Sequence, residues 1–184
     1  MSTALKNLST FDTPLPSAHD MVVGVVVSQW NSNVTSRLLK GAVDTLLMAG
    51  CPEENIVIKS VPGAYELPFA AQLLAENTAV DGVIVLGCVI RGGTPHFDYV
   101  CSGTTHGVMN VQLSAGLPVA FGLLTVDDLQ QAMDRAGGEL GNKGDEAAST
   151  VIRMIELQRE MEVDTDDQGI LDLMSNVANE GQLS

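Results

Sequence analysis

Gly92-Gly93-Thr94-Pro95-His96 is the stretch of this 184-residue chain whose residue types are best suited to chemistry. The two glycines free the backbone for an unusual turn, Thr94 is suited to cap a helix, and Pro95 suits a first helical position. Amides exposed at such a helix start bind phosphate or carboxylate, and the helix dipole adds to the attraction. His96 then stands on the first turn beside the anion, placed for proton transfer; the plainer alternative is a histidine that only hydrogen-bonds its loop. His19 and His106 lack this context and read as structural or solvated.

Few cations are available to help, because the chain has only 9 Lys and Arg. Two of them, Arg135 and Lys143, flank the Gly-rich turn Ala136-Gly-Gly-Glu-Leu-Gly-Asn142. Arginine suits bidentate phosphate binding; equally, Arg135 could be a solvated residue paired with Asp134 or Glu139. Trp30, the only tryptophan, precedes a polar Asn31-Ser-Asn turn, so it is either core or a stacking platform for a flat heterocycle. Glu66 is a helix-start charge or a ligand hydrogen-bond acceptor with equal weight. Cys88, in Leu-Gly-Cys-Val-Ile, is most simply a small buried hydrophobe. No metal-ligand spacing, Walker loop or dinucleotide fingerprint is found, and no internal repeat.

The elements that must position these residues alternate. Apolar runs at 21–27, 55–61, 82–86 and 118–124 read as strands, and helical spacing of Leu and Ala marks 34–49, 66–77, 98–116, 126–136 and 145–162. Gly50 is placed to end the first helix in a left-handed cap. This order implies right-handed βαβ crossovers and a four-stranded parallel sheet in a three-layer α/β/α sandwich, flavodoxin-like in architecture. In such a sheet ligands bind beyond the carboxyl ends of the strands, where the aromatic, glycine and polar residues gather here. Residues 1–20 read as a flexible arm and 21–162 as the domain. From 160 to 184 there are seven acids and no Lys or Arg, so 163–184 reads as a solvated acidic tail, with Ile170 to Met174 able to dock as a short helix.

A net charge of −14 excludes nucleic-acid and anionic-membrane partners, which need clustered cations. No segment supplies the ~20 apolar residues of a membrane helix, and the arm lacks the pattern of a secretory signal. Cys51, Cys88 and Cys101 form no CxxC pair and read as reduced thiols of a cytoplasmic protein.

Taken together, Val61-Pro-Gly-Ala-Tyr-Glu-Leu-Pro68, the run Gly87-Cys-Val-Ile-Arg-Gly-Gly-Thr-Pro-His-Phe-Asp-Tyr-Val100, and Gln131-Ala-Met-Asp-Arg-Ala-Gly137 with Gly141-Asn-Lys-Gly144 closely resemble the 6,7-dimethyl-8-ribityllumazine synthase family. The resemblance spans about Met21 to Gln158 and rests on several motifs in the right order. It implies condensation of 5-amino-6-ribitylamino-2,4(1H,3H)-pyrimidinedione with 3,4-dihydroxy-2-butanone 4-phosphate, releasing phosphate and water without a cofactor. It further implies that Trp30 stacks on the pyrimidine with Asn31 beside it, and that Ala64, Tyr65, Glu66, the Cys88, Val89 and Ile90 backbone and Phe121 line the pyrimidine and ribityl pocket. Gly93, Thr94 and Arg135 would hold the phosphate, Lys143 would be a further substrate-binding residue, and His96 would move protons. By the same resemblance the subunits form a homo-oligomer of pentamers, with Phe121 or Arg135 coming from a neighbour. The turn at 137–142 has no insertion, which points to a 60-subunit shell.

Two positions depart from the commoner family pattern. Trp30 stands where Phe is usual, which makes riboflavin or product binding a secondary property to test; Tyr65 also replaces Phe, adding a hydroxyl that needs a partner if buried. The chief alternative function is a flavin-binding or scaffold protein of the same fold without turnover, against which the Thr94, His96 and Arg135 set argues. A signalling module would want a phosphoacceptor Asp at a strand end, and none is evident.

Overall fold

The computed structural model describes residues 14–180, with side chains described through 162. Its strands are β1 (Val23–Ser28), β2 (Ile56–Val61), β3 (Gly82–Ile90) and β4 (Val119–Val126), and all pairings among them are parallel, in the order β2-β1-β3-β4. The helices are α1 (Ser32–Met48), α2 (Leu67–Asn77), α3 (His96–Ala115), α4 (Leu129–Asp134) and α5 (Lys143–Glu180). The three-layer architecture and the four strands are those the alternation predicts. β3 runs four residues past its predicted end, through Ile90, because register with β4 carries the pairing on to Val126.

The two central strands are apolar on both faces because both faces are covered. Val23, Val25, Val27, Ile84, Leu86 and Cys88 enter one core with Leu38, Ala42 and Leu46 of α1 and Ala148, Val151, Ile152 and Ile155 of α5. The alternate residues Val26, Val83 and Val85 enter the second core with Leu67, Ala71 and Leu74 of α2 and Val108 and Val111 of α3. α1 and α5 cross so closely that a Cβ on Gly144 would stand 2.0 Å from the Leu38 carbonyl oxygen.

Three expectations change. The arm predicted to run to residue 20 is anchored from Pro14 onward: Ala18 is fully buried, its amide donates to Ala49 O at 2.8 Å, and Arg153 Nη2 donates to Pro14 O at 3.2 Å. A short polar stretch can be ordered this way when its backbone groups find partners on the domain. The Gly-rich turn after α4 is a two-stranded antiparallel hairpin, Ala136–Gly138 with Gly141–Asn142, made possible by positive φ at Gly137 (98°) and Gly141 (80°). The backbone helix of α5 continues to Glu180, so the acidic segment is helical from 163 to 180, although its side-chain placement lies outside the described residues. Gly50 has φ 90° just after α1, as a left-handed cap requires. Among the described residues no helix is long and apolar enough to cross a membrane.

Near the end of the domain, Arg159 reaches back to Asp20 at 2.9 Å and to Asp81 at 3.5 Å, while Asp81 Oδ2 accepts from the Val22 amide at 2.6 Å. The Arg159 hydrogen bond holds the Asp20 carboxyl below the usual carboxylate range. A carboxyl depressed in the folded state adds stability above its unfolded value and loses it as pH falls through the folded one. Asp20→Asn should therefore lower Tm slightly near neutral pH, with the deficit shrinking in thermal melts taken from about pH 6 to about pH 3; a deficit that does not change across that range would remove the ion pair as its cause.

Candidate active site

The carboxyl ends of β1, β2 and β3 meet at one cavity of about 710 Å³. Its lining comprises Trp30 and Asn31 after β1, Ala64, Tyr65 and Glu66 after β2, Cys88, Val89 and Ile90 of β3, and His96, Tyr99 and Val100 of α3. Nine residues singled out from the sequence are thus brought together from four separate segments. Trp30 is 67% exposed and Tyr65 63% exposed, so both rings face outward into the cavity instead of joining the core. That decides the Trp30 question against burial.

Local chemistry fixes each segment. Asn31 adopts the left-handed region (φ 58°), and its Nδ2 donates to the Cys88 carbonyl at 2.9 Å, tying the start of α1 to the end of β3. The Trp30 amide donates to Pro62 O at 3.1 Å, joining the two loops that carry the aromatic rings. Glu66 Oε2 accepts from the Gly63 amide at 3.0 Å, so this carboxylate caps the turn, as one of its two readings proposed. Among the described residues its Oε1 makes no hydrogen bond, and Glu66 lines the same cavity.

His96 is the first residue of α3 and is exposed on the cavity rim. The helix cap falls on Pro95, with φ −63° and no side-chain capping bond, so Thr94 is not the N-cap and Pro95 is not the first helical residue. The boundary sits one residue later because the Asp98 amide bonds back to Pro95 O at 3.0 Å. Neither Gly92 nor Gly93 has positive φ, and a Cβ on either would meet no atom within 4 Å. The expected unusual turn is absent, and the glycines instead leave the loop backbone uncovered beside Thr94 and His96.

Arg91 is one of three contributors that escaped the sequence reading. Arg91 donates through Nη1 to Asp98 and through Nε to Asp127, each at 3.1 Å, and its guanidinium lies 4.0 Å from the Phe97 ring centre. These exposed pairs are screened by water and contribute little to stability. Their geometry matters more, since they clasp both residues after His96 to the end of β4. Tyr99 and Val100 were also missed; their spacing of three and four from His96, which puts them on its face of the helix, was the available signal.

Phe121, Arg135 and Lys143 lie apart from the cavity. Phe121 belongs to the edge strand β4 opposite Val85, three residues before Cys88 on β3, which is about 10 Å short of the cavity along the strands. Its side chain is 39% exposed on the sheet's outer edge. Arg135 caps the end of α4, where its Nη1 donates to Gln131 O at 3.0 Å. Among the described residues it forms no ion pair with Asp134 or Glu139, contrary to the local-pair alternative. Lys143 pairs with Glu146 at the start of α5. Arg135 and Lys143 are neighbours in turn, since the Lys143 amide donates to Arg135 O at 2.8 Å.

Comparison with known proteins places the chain among named relatives. The pattern of the family described as 6,7-dimethyl-8-ribityllumazine synthase matches residues 20–159. A protein of that name from Parabacteroides distasonis is 56% identical over 156 residues, covering 84% of this chain and 98% of the relative. One from Bacteroides fragilis is 54% identical over 136 residues, 74% of this chain and 95% of its own. Another from Phocaeicola vulgatus is 48% identical over 163 residues, 88% and 97% respectively.

Burial pushes the Cys88 thiol up to about 11, and no charged partner opposes it. At pH 8 only roughly one part in a thousand of such a thiol is ionised. In the folded protein a colorimetric thiol reagent should therefore leave Cys88 unmodified at pH 8 until denaturant is added. Rapid native modification of Cys88, located by peptide mass, would show an activated thiol that burial does not predict.

Proposed function

Because the chain belongs to the 6,7-dimethyl-8-ribityllumazine synthase family, it is a transferase of riboflavin biosynthesis that condenses 5-amino-6-ribitylamino-2,4(1H,3H)-pyrimidinedione with 3,4-dihydroxy-2-butanone 4-phosphate, and we propose that the cavity rimmed by His96 is where it does so. The observation that carries this reading is the convergence of Trp30, Asn31, the 64–66 turn, the 88–90 backbone and His96 on one pocket. In it Trp30 stacks on the pyrimidine, and the backbone of β3 and the turn after β2 offers hydrogen bonds to its edge and to the ribityl chain. The uncovered backbone at Gly93 and Thr94 receives the phosphate. His96, next to that loop, moves protons during imine formation, phosphate elimination and ring closure. Holding two small reactants together supplies much of the rate, up to roughly 7 to 11 kcal/mol in ideal cases, so one acid/base group suffices.

The phosphate's cations and the aromatic Phe121 come, in this proposal, from a neighbouring copy. Phe121 is on β4, and Arg135 and Lys143 flank the 136–142 hairpin between α4 and α5, whereas the pocket sits over β1, β2 and β3. Two different surfaces that complete one site imply head-to-tail contact, which closes into a ring. The exposed apolar side chains Phe69 and Leu73 of α2 and Met109 and Leu113 of α3 supply a face for such a ring to cover. We take the ring to be a pentamer, twelve of which build a 60-subunit shell, and place the protein in the cytoplasm; riboflavin or product binding at Trp30 is a secondary property of the same pocket.

Turnover is tested by following lumazine formation by absorbance, with the mass of the assembly measured in the same buffer. A large assembly without turnover that retains yellow flavin would favour the binding or scaffold reading. Site sharing has its own test. His96→Ala should lower kcat about 10- to 100-fold, and Arg135→Ala should raise the KM for the phosphorylated substrate about tenfold. Co-assembled from unfolded chains in equal amounts, the two variants should regain activity at about a quarter of the sites, those pairing an intact His96 with a neighbour's intact Arg135. No recovery in a mixture shown by mass to be co-assembled would place Arg135 in its own subunit's site.

A further inference from the structure

Two exposed aromatic rings wall the cavity, and each lies against the Cα of a glycine. A Cβ on Gly63 would come within 2.5 Å of Trp30 Cε3 and 2.6 Å of Cζ3; a Cβ on Gly103 would come within 2.7 Å of Tyr65 Cε2. Carbon atoms in contact settle at about 3.5 to 4.0 Å, so an added methyl at either place must displace the ring.

Neither glycine is demanded by its backbone. Gly63 has φ −141°, ordinary extended geometry, and Gly103 lies inside α3, where glycine costs helix stability relative to alanine. The three atoms nearest to an added Cβ on Gly103 all belong to the Tyr65 ring, whereas at Gly107, one turn on, the atoms met belong to Pro68. Gly107 therefore serves the packing of α2 on α3, and Gly103 serves a ring of the pocket. At Gly63 a second group is near, since Glu66 Oε2 would lie 3.1 Å from the added carbon.

We propose that Gly63 and Gly103 are specificity-determining positions, which seat the rings of Trp30 and Tyr65 and so set the width of the slot that receives a planar heterocycle. This rests on the pocket being the pyrimidine site. Rings so largely exposed have little core packing to hold them, and stacking on a flat ligand needs a wall at a defined depth. A glycine supplies that stop because its backbone lets the ring approach more closely than any side chain would. The phosphate loop at Gly92 to Thr94 touches neither glycine, so the two substrates should respond differently to substitution.

The test compares Gly63→Ala, Gly103→Ala and the packing control Gly107→Ala in the assembled protein. Steady-state KM for each substrate is measured alongside Trp30 emission, which reports one environment because the chain has a single tryptophan. Gly63→Ala and Gly103→Ala should raise the KM for the pyrimidinedione about tenfold, leave that for the phosphorylated substrate within about twofold, and preserve the assembly mass. Gly63→Ala should also shift Trp30 emission, and Gly107→Ala should change neither KM beyond about twofold. In a Trp30→Ala background Gly63→Ala should add no further loss, because the ring it displaces is gone.

Unchanged KM values, equal rises for both substrates, or a Gly63→Ala penalty that persists without Trp30 would each overturn the proposal, the last by routing the effect through Glu66. If the pyrimidinedione does not alter Trp30 emission even in the unsubstituted protein, the pocket assignment itself fails, a result distinct from failure of the glycine proposal alone.

Discussion

Burial of β1 and β3 on both faces is the constraint on which the rest of the molecule depends. The pair Val25 with Ile84 on one face and the pair Val26 with Val85 on the other are both withdrawn from water. Such strands need helices on each face, and parallel strands need a crossover between them, so one requirement produces both the three layers and the direction of the chain. Parallel strands place all their carboxyl ends on one side. The loops after β1 and β2 and the end of β3 therefore meet without any attraction of their own, and Trp30, Glu66 and Ile90 line one cavity despite lying far apart in sequence.

The cavity is held by backbone and carbonyl contacts more than by charge. Asn31 bonds to Cys88 O, the Trp30 amide to Pro62 O, and Glu66 to the Gly63 amide, which leaves the outward surfaces of the rings free. Arg91 adds the one cationic clasp close by, but its charge is spent on Asp98 and Asp127. Among the described residues the pocket is lined by a helix start and loop backbone with no Lys or Arg. The guanidinium of Arg135 stands instead at the end of α4, bonded to Gln131 O. In the proposed function, dividing the anion-binding groups between two surfaces gives assembly a chemical role in addition to a structural one.

Much of the fold was legible because its signals are local. Val-rich runs, helical spacing of Leu and Ala, and Gly50 after α1 report strand, helix and cap from a few neighbouring residues. The misplacements have equally physical causes. Thr94 looked like a cap by residue type, yet the Asp98 amide chose Pro95 O, and the turn at 137–142 became a hairpin because positive φ at its glycines allowed the chain to pair with itself. Residues 14–20 looked like an arm because polar composition cannot reveal that the Ala18 amide finds the Ala49 carbonyl at the end of α1 and the Pro14 carbonyl finds the Arg153 side chain of α5.

By itself the sequence determined the order of elements, the chemistry available at each strand end and the family to which these motifs belong, since all three are written in residue type and spacing. Only the tertiary structure decided which of those residues share a site. Strand register sets that distance: Phe121 follows the same strand pattern as its neighbours, but pairing with Val85 puts it well short of Cys88 and on the far edge of the sheet. It also revealed the close seating of Trp30 on Gly63 and Tyr65 on Gly103, contacts of ring on backbone that depend on how α3 and the loops after β1 and β2 come together in space.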